Sequence, residues 1–428
     1  MQKFKRIALM STALGILAAP TSVLASGWDT TRIGGYDLLF SPKKVVVEGQ
    51  ATYVDRNVDF KNVEGSSNGG VHLDSSGALV DQSYLTSVEG SSNGAIPNLD
   101  LYTLSAKVNL VDPVDCLAQL HTPMIIAENP GDNWGGRYAL AETDARTLSG
   151  DLTCSYSFNI NEKSKFRLIG GVGATDTTYY TRSMFFLPDN PLTTVDDSIH
   201  SGMVGDYKTE VDLESDGLSF GWRAGAAYER PDIALRAYVI YNSEIDVDLE
   251  GSFLLSNPIV GDFATANANA SIVLPQSVEF GIQSGIAPNW LLGISAKWMD
   301  WSVMDAIGVT FSDQSLSSVP DATTRVLNYS DAWSVEATLA HRFNERLYVG
   351  ATVKWDEGIG DIYSDTYQFG LGGAYDITEH VKLSLGGRAV YKTDGNGTYQ
   401  TEESYAKADY DYDDSWNFIA SSRLTFSF

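Results

Sequence analysis

No apolar run in this chain of 428 residues is long enough to cross a membrane as a helix, and the mean hydropathy is only −0.13. A bundle of spanning helices is thereby excluded. Cations are scarce: 29 lysines and arginines stand against 55 acids, for a formal charge of −26. So acidic a chain argues against nucleic acid as a partner. Histidine is scarce too. His72, His121, His200, His341 and His380 are scattered, none in a metal-ligand spacing such as H-E-x-x-H, and no G-x-S-x-G elbow occurs. No catalytic residue, metal site or cofactor is expected.

What is present begins with an export signal. Lys3, Lys5 and Arg6 precede an apolar stretch from Ile7 to Ala19, and Val23-Leu24-Ala25 is a small-residue cleavage site. Residues 1–25 read as a secretory signal peptide. Its removal takes three cations and moves the charge from −26 to −29. Acidic outer loops could bind divalent cations at the cell surface; the alternative is solubility or adaptation to salt.

The last three quarters of the chain alternate apolar and polar residues between short breaks. Trp290, Leu292, Ile294, Ala296 and Trp298 share one register while Gly293, Ser295 and Lys297 share the other. Leu347, Val349, Ala351, Val353 and Trp355 repeat the pattern. A strict period of two places each set on one face of a strand. Aromatics at the ends of the apolar face match the girdles of a membrane barrel. Six breaks, at Asp112–Asp115, Asn159–Ser164, Glu229–Asp232, Ala287–Asn289, Asn344–Glu345 and Asp376–Glu379, are short turns. Strands are expected near 44–60, 98–110, 114–127, 143–159, 164–181, 212–229, 232–251, 269–285, 289–301, 331–343, 346–356, 364–376, 379–392 and 414–428. The expected fold is all-β: a 14-stranded antiparallel transmembrane barrel over 44–428, preceded by a short N-terminal hatch over 26–43. The final Leu424-Thr425-Phe426-Ser427-Phe428 resembles the signal read by the barrel-assembly machinery.

Four features within this frame bear on function. Val63 to Gly69 (V-E-G-S-S-N-G) recurs as Val88 to Gly94, and its Gly, Ser and Asn favour a mobile surface loop. Cys116 and Cys154 fall near the same ends of two consecutive strands, so a disulfide between them competes with two free thiols. The register opposite the apolar one carries Arg167, Arg223, Arg236, Lys297, Lys354, Lys382 and Arg388. These cations either pair with luminal acids or offer a handle for an anionic head group. Pro123 lies inside an expected strand and cannot donate to its ladder. An unpaired backbone group facing lipid costs several kcal/mol, so the wall is expected to bend near Thr122 and Pro123.

Several segments resemble the FadL-type outer-membrane transporters. Asp132-Asn133-Trp134-Gly135-Gly136-Arg137-Tyr138, with Glu142, Thr147 and Leu148, is similar to their W-x-G-R-Y segment and following strand. Asp216 to Gly225 resembles their glycine-rich G-W strand, and Tyr241 to Ile245 with Leu249-Glu250-Gly251 their Y-x-S strand end. Leu274-Pro275 and Ala287-Pro288-Asn289-Trp290 fit as well. The resemblance runs from about residue 98 to the C-terminus. It implies a plugged 14-stranded barrel whose third strand kinks inward, and Pro123 falls in the third strand. The family's N-P-A motif is replaced here by Phe40-Ser41-Pro42-Lys43, and the hatch is shorter than the family's.

The resemblance implies passive outer-membrane passage of long-chain fatty acids or aromatic hydrocarbons, with lateral release into lipid. Arg137, Lys297 and Lys354 are the expected head-group contacts, and Thr122 and Pro123 the lateral gate. A general diffusion porin and a membrane enzyme are the rival classes. Expected partners are the hydrophobic cargo, outer-membrane lipid, lipopolysaccharide and the barrel-assembly machinery, with the chain a monomer.

Overall fold

The computed structural model describes residues 27–66, 87–186, 206–257, 261–315, 321–402 and 406–428. The expected signal peptide, His72, His200 and Ser67, Asn68 and Gly69 of the first repeat copy lie outside these residues.

Fourteen antiparallel strands close into a barrel. The first strand, Val45–Asp55, pairs with the second, Leu99–Val111, and with the last, Ser415–Ser427. Val46 opposite Ser427 and Asp55 opposite Phe418 join the two ends of the sheet into one wall. All six expected turns are there, at 112–113, 162–163, 231–234, 288–289, 343–346 and 377–380. Each turn is only a few residues long, so it joins antiparallel neighbours. The other ends of the strands are joined by seven connections, most of them longer.

The strand bounds differ from expectation at that far end, where most strands run on after a break. The sixth strand is Asp206–Ser215 then Ser219–Arg230, split at Gly217, whose φ is +85°. The seventh is Leu235–Asn242 then Ile245–Asn257, and the eighth Gly261–Leu274 then Ser277–Ala287. The ninth strand, Trp290–Met299, continues as Ala306–Ser312. The thirteenth, Val381–Lys392, continues as Gly395–Thr401.

The two halves of these strands have opposite faces. Within the wall, apolar side chains such as Phe220, Ile282, Leu371 and Phe418 point outward and are exposed, while Glu48, Lys107, Thr153 and Arg423 are buried inside. Beyond the breaks the order reverses. Val247, Leu249, Phe253, Val309 and Phe311 are buried, and Asp248, Glu250, Asn267 and Asn269 face outward. Lipid surrounds the first part and water the second, so the same alternation serves two solvents. The extensions therefore stand outside the membrane around an apolar plug. Trp28, Trp301, Tyr329 and Ile359 belong to one of its clusters, and Phe60, Trp134, Tyr399 and Tyr410 to another.

The described part of the repeat is paired strand and not an open loop. Lys61–Ser66 and Ser87–Glu89 form a ladder in which the two copies meet, Gly65 opposite Val88. A Cβ at Gly65 would lie 1.8 Å from the Gly135 carbonyl oxygen, and the Gly135 N–H donates to Gly90 O at 3.2 Å. The same glycine of each copy thus lets the family-like segment approach the backbone closely.

Candidate functional site

Residues 27–44 run into the barrel, and luminal side chains from several strands hold them. Lys297 Nζ donates to Asp29 Oδ2 at 2.7 Å and to Thr31 Oγ1 at 2.8 Å. Glu279 accepts the Gly34 N–H at 3.1 Å, and the Tyr36 hydroxyl donates to Asn242 Oδ1 at 2.9 Å. Arg236 pairs with Asp37 at 3.2 Å and stacks over Phe40. Arg167 donates to Leu39 O at 3.1 Å and to Asp115 at 2.9 Å. Lys107 Nζ reaches Ser41 O and Lys43 O at 3.0 and 2.6 Å. The luminal cations thus neutralise acids and satisfy carbonyls that have left water.

The third strand breaks where Pro123 sits. It runs Val114–His121, stops, and resumes as Ile125–Glu128. His121 lies opposite Ser149 and Ile125 opposite Arg146, so four steps on one strand match three on the other. This is a one-residue bulge, which bends a strand. On its other side the second strand keeps pace only to Leu104 opposite Leu120. Ile125–Glu128 is buried on both faces, as a segment turned inward from the lipid must be. Its lost partner is replaced by the N-terminal segment. Thr30 N donates to Pro123 O at 2.9 Å, Ile125 N donates to Trp28 O at 3.0 Å, and the Thr30 hydroxyl donates to Thr122 O.

An interior cavity of about 160 Å³ adjoins this break. Leu101, Tyr102 and Thr103 border it on the second strand, His121 to Met124 on the third, and Asp29 to Arg32 from the N-terminal segment. A second, more apolar cavity of about 70 Å³ lies toward the outer end, against Val54, Val58, Ile96, Ile362, Val390 and Ile419. Leu101 and Ile125 pack in one cluster with Val54, Val390 and Ile419, so apolar side chains link the two spaces.

The three expected head-group cations are not gathered at one point. Lys297 is engaged by Asp29, and Lys354 Nζ lies 2.8 Å from Asp356 Oδ1. Arg137 belongs to the outer connection 129–141, where it donates to Trp134 O at 3.3 Å and stacks on Tyr138. Cys116 and Cys154 face each other in register and are disulfide-bonded. Two further cations, Arg56 and Lys392, line the apolar space. Both were readable in part. Glu48, Gln50, Thr52, Val54 and Arg56 continue one register, as do Lys382, Ser384, Arg388, Val390 and Lys392.

Comparison with known proteins agrees with this geometry. The long-chain fatty acid transport protein of Escherichia coli O6:H1 is 24% identical over 251 residues, 55% of this chain. The matched part spans only 56% of that relative's length. A Pseudomonas aeruginosa FadL homologue superposes with a TM-score of 0.72 at 15% identity, covering 94% of this chain and 98% of that one. The Pseudomonas putida toluene transporter TodX does so at 0.59 and 14%, covering 97% of each chain. These two likenesses concern the fold. The sequence pattern of one family extends over residues 39–413, nearly the whole barrel, and so this outer-membrane chain belongs to the outer membrane protein transport protein family, OMPP1/FadL/TodX.

Proposed function

We propose that this protein carries hydrophobic compounds passively across the outer membrane, long-chain fatty acids above all, binding them in the lumen and releasing them sideways into lipid. The observation that carries the reading is the break at Thr122 and Pro123, which lies against the interior space and between two strands that have stopped pairing. Energetics favour that route. Burying a methylene is worth roughly 0.8 kcal/mol, so a sixteen-carbon chain gains on the order of 10 kcal/mol gross in an apolar chamber. Release into water would return all of it; release into lipid returns little. The E. coli relative carries long-chain fatty acid in its name, which supports the same cargo. The alternative cargo is an aromatic hydrocarbon, in line with the toluene transporter among the structural neighbours. A diffusion pore for polar solutes fits less well, because residues 27–44 occupy the lumen.

A covalent bridge across the break tests the route. Cysteines at Tyr102 and Thr122 are joined by a bis-maleimide, which leaves the Cys116–Cys154 bond alone. Oleate uptake by cells should fall by an order of magnitude while binding to the purified protein persists. Undiminished uptake in the bridged protein would mean that cargo leaves through the turn end of the barrel.

A further inference from the structure

The segment Ile125–Glu128 has left the wall, yet the wall still offers it a place. Above Leu104 the second strand has no partner on that side among the described residues, and an unpaired strand edge facing lipid is costly. The segment keeps only one ladder, to the fourth strand, Glu142–Asn161, from Ile125 opposite Arg146 to Glu128 opposite Thr143. The N-terminal segment meets it at Pro123 and Ile125, which holds its start. Its far end is held through one side chain.

That side chain is Glu128, only 1% exposed. Its Oε2 accepts an Nη2 proton of Arg325 at 2.8 Å and the Tyr399 hydroxyl at 3.2 Å, and its Oε1 accepts the Tyr363 hydroxyl at 3.0 Å. A carboxylate so deeply buried persists because donors replace the water it has lost. None of these donors lies on the second or fourth strand. Arg325 belongs to the outer segment Ala322–Val326 and Tyr399 to the outer segment Gly395–Thr401. These two segments pair with each other, Arg325 opposite Thr401 and Val326 opposite Gln400, and so form an arch. Tyr363 belongs to the loop 357–365 beneath it. Arg325 also stacks over Tyr399 at 5.0 Å and gives an Nη1 proton to Thr143 Oγ1 at 3.2 Å. The arch thus grips the third and fourth strands at the same level, through the opposed residues Glu128 and Thr143.

We infer that Glu128 is a positioning residue for lateral release: it fastens the inward segment of the third strand to the outer arch, so that packing of the arch keeps the break open. Glu128 lines neither of the two cavities and acts only through the strand it ends. The consequence for release rests on the transport reading above, whereas the tie itself belongs to the fold and is measurable without cargo. Two places compete for the segment, inward under the arch and outward along the second strand. A single carboxylate with three donors from the arch and its loop biases the choice.

Hydrogen exchange of the full-length protein in nanodiscs tests the tie. Glu128→Gln should raise exchange over residues 122–128 about tenfold, as loss of a buried charge-assisted contact does. The double variant Tyr363→Phe/Tyr399→Phe alters only the arch side and leaves the ion pair in place. It should raise exchange over 122–128 as well, and it reads the same contrast if Glu128→Gln fails to fold. Unchanged exchange over 122–128 in the double variant overturns the tie. Tyr412→Phe is the control, because its hydroxyl donates to Asp361 O at 2.8 Å in the same loop without touching Glu128. It should loosen 357–365 alone; equal loosening of 122–128 would mean that the arch acts through packing at large, and would overturn the role of Glu128. In cells, oleate uptake by the double variant should fall roughly twofold or more while oleate binding by the purified protein persists, since release needs the inward state. Uptake unchanged in a variant whose segment has loosened refutes a role in release. A wild-type protein that takes up no oleate refutes the cargo instead, and the exchange data then decide the tie alone.

Discussion

Asp29 and Lys297 show how much rests on one pair. Their side chains are 2% and 5% exposed, and the pair ties the N-terminal segment to the ninth strand. Replacing Lys297 with Met would strand a buried carboxylate, a change that typically costs about 3–5 kcal/mol. The expected outcome is faster amide exchange over residues 28–37 and higher ion conductance in planar bilayers. The double change Asp29→Asn with Lys297→Met should recover most of the loss, since no charge is then left unpaired. If single and double variants behave alike, the pair is not the clasp. Pro123 acts at the same scale. It lacks a donor, and its carbonyl is met by Thr30 instead of by a neighbouring strand.

Among elements, the connection 357–365 between the eleventh strand, Leu347–Asp356, and the twelfth, Thr366–Asp376, shapes the apolar chamber. The tenth strand's outer part, Ala322–Val326, pairs above it with Gly395–Thr401, skipping both of these strands. Ile359 and Ile362 are buried beneath that arch. Asp361 is half-buried there. Desolvation pushes its carboxyl up to about 6, although the Thr398 N–H, at 2.9 Å, and the nearby Arg325 oppose the rise and Glu128 adds to it. A raised acid stabilises the packed loop fully below about pH 3.8 and loses that contribution as pH rises through about 6. Protection factors over 357–365 should therefore fall between pH 4 and 7, and Asp361→Asn should flatten the profile. A wild-type profile as flat as the variant's would show that another group governs the loop.

For the whole molecule, the reversal of faces along single strands sets the height of the membrane. Leu371, at the middle of the twelfth strand, is 69% exposed to lipid. Leu371→Lys should cost roughly 2–4 kcal/mol in urea unfolding from vesicles, as charges near the bilayer midplane do. Asn267 points outward too, but from an extension whose inner face is apolar. Asn267→Lys should change stability by less than about 0.5 kcal/mol. Equal costs at the two positions would mean that the extensions lie in lipid.

The alternation, the six turns and the proline in the third strand were legible in the chain because each is local. A period of two assigns residues to faces, a short polar break forces an antiparallel return, and a missing N–H spoils a ladder wherever it occurs. That Cys116 and Cys154 lie near the same ends of consecutive strands followed from two such turns, at 112–113 and 162–163. What needed the tertiary structure was everything set by closure. Lys297 meets an acid 268 positions away, and Glu128 meets Arg325 across 197. Alternation cannot say which side of a strand touches lipid and which touches water, so the outer half of the seventh strand looked like a continuation of the wall. Nor can it say which cations have acids. Arg56 and Lys392 sit in the luminal register like the others, and only the folded barrel sets those two beside an apolar chamber with no carboxylate at ion-pair distance among the described residues, because ion pairing depends on distances that the chain sets only once its ends have met.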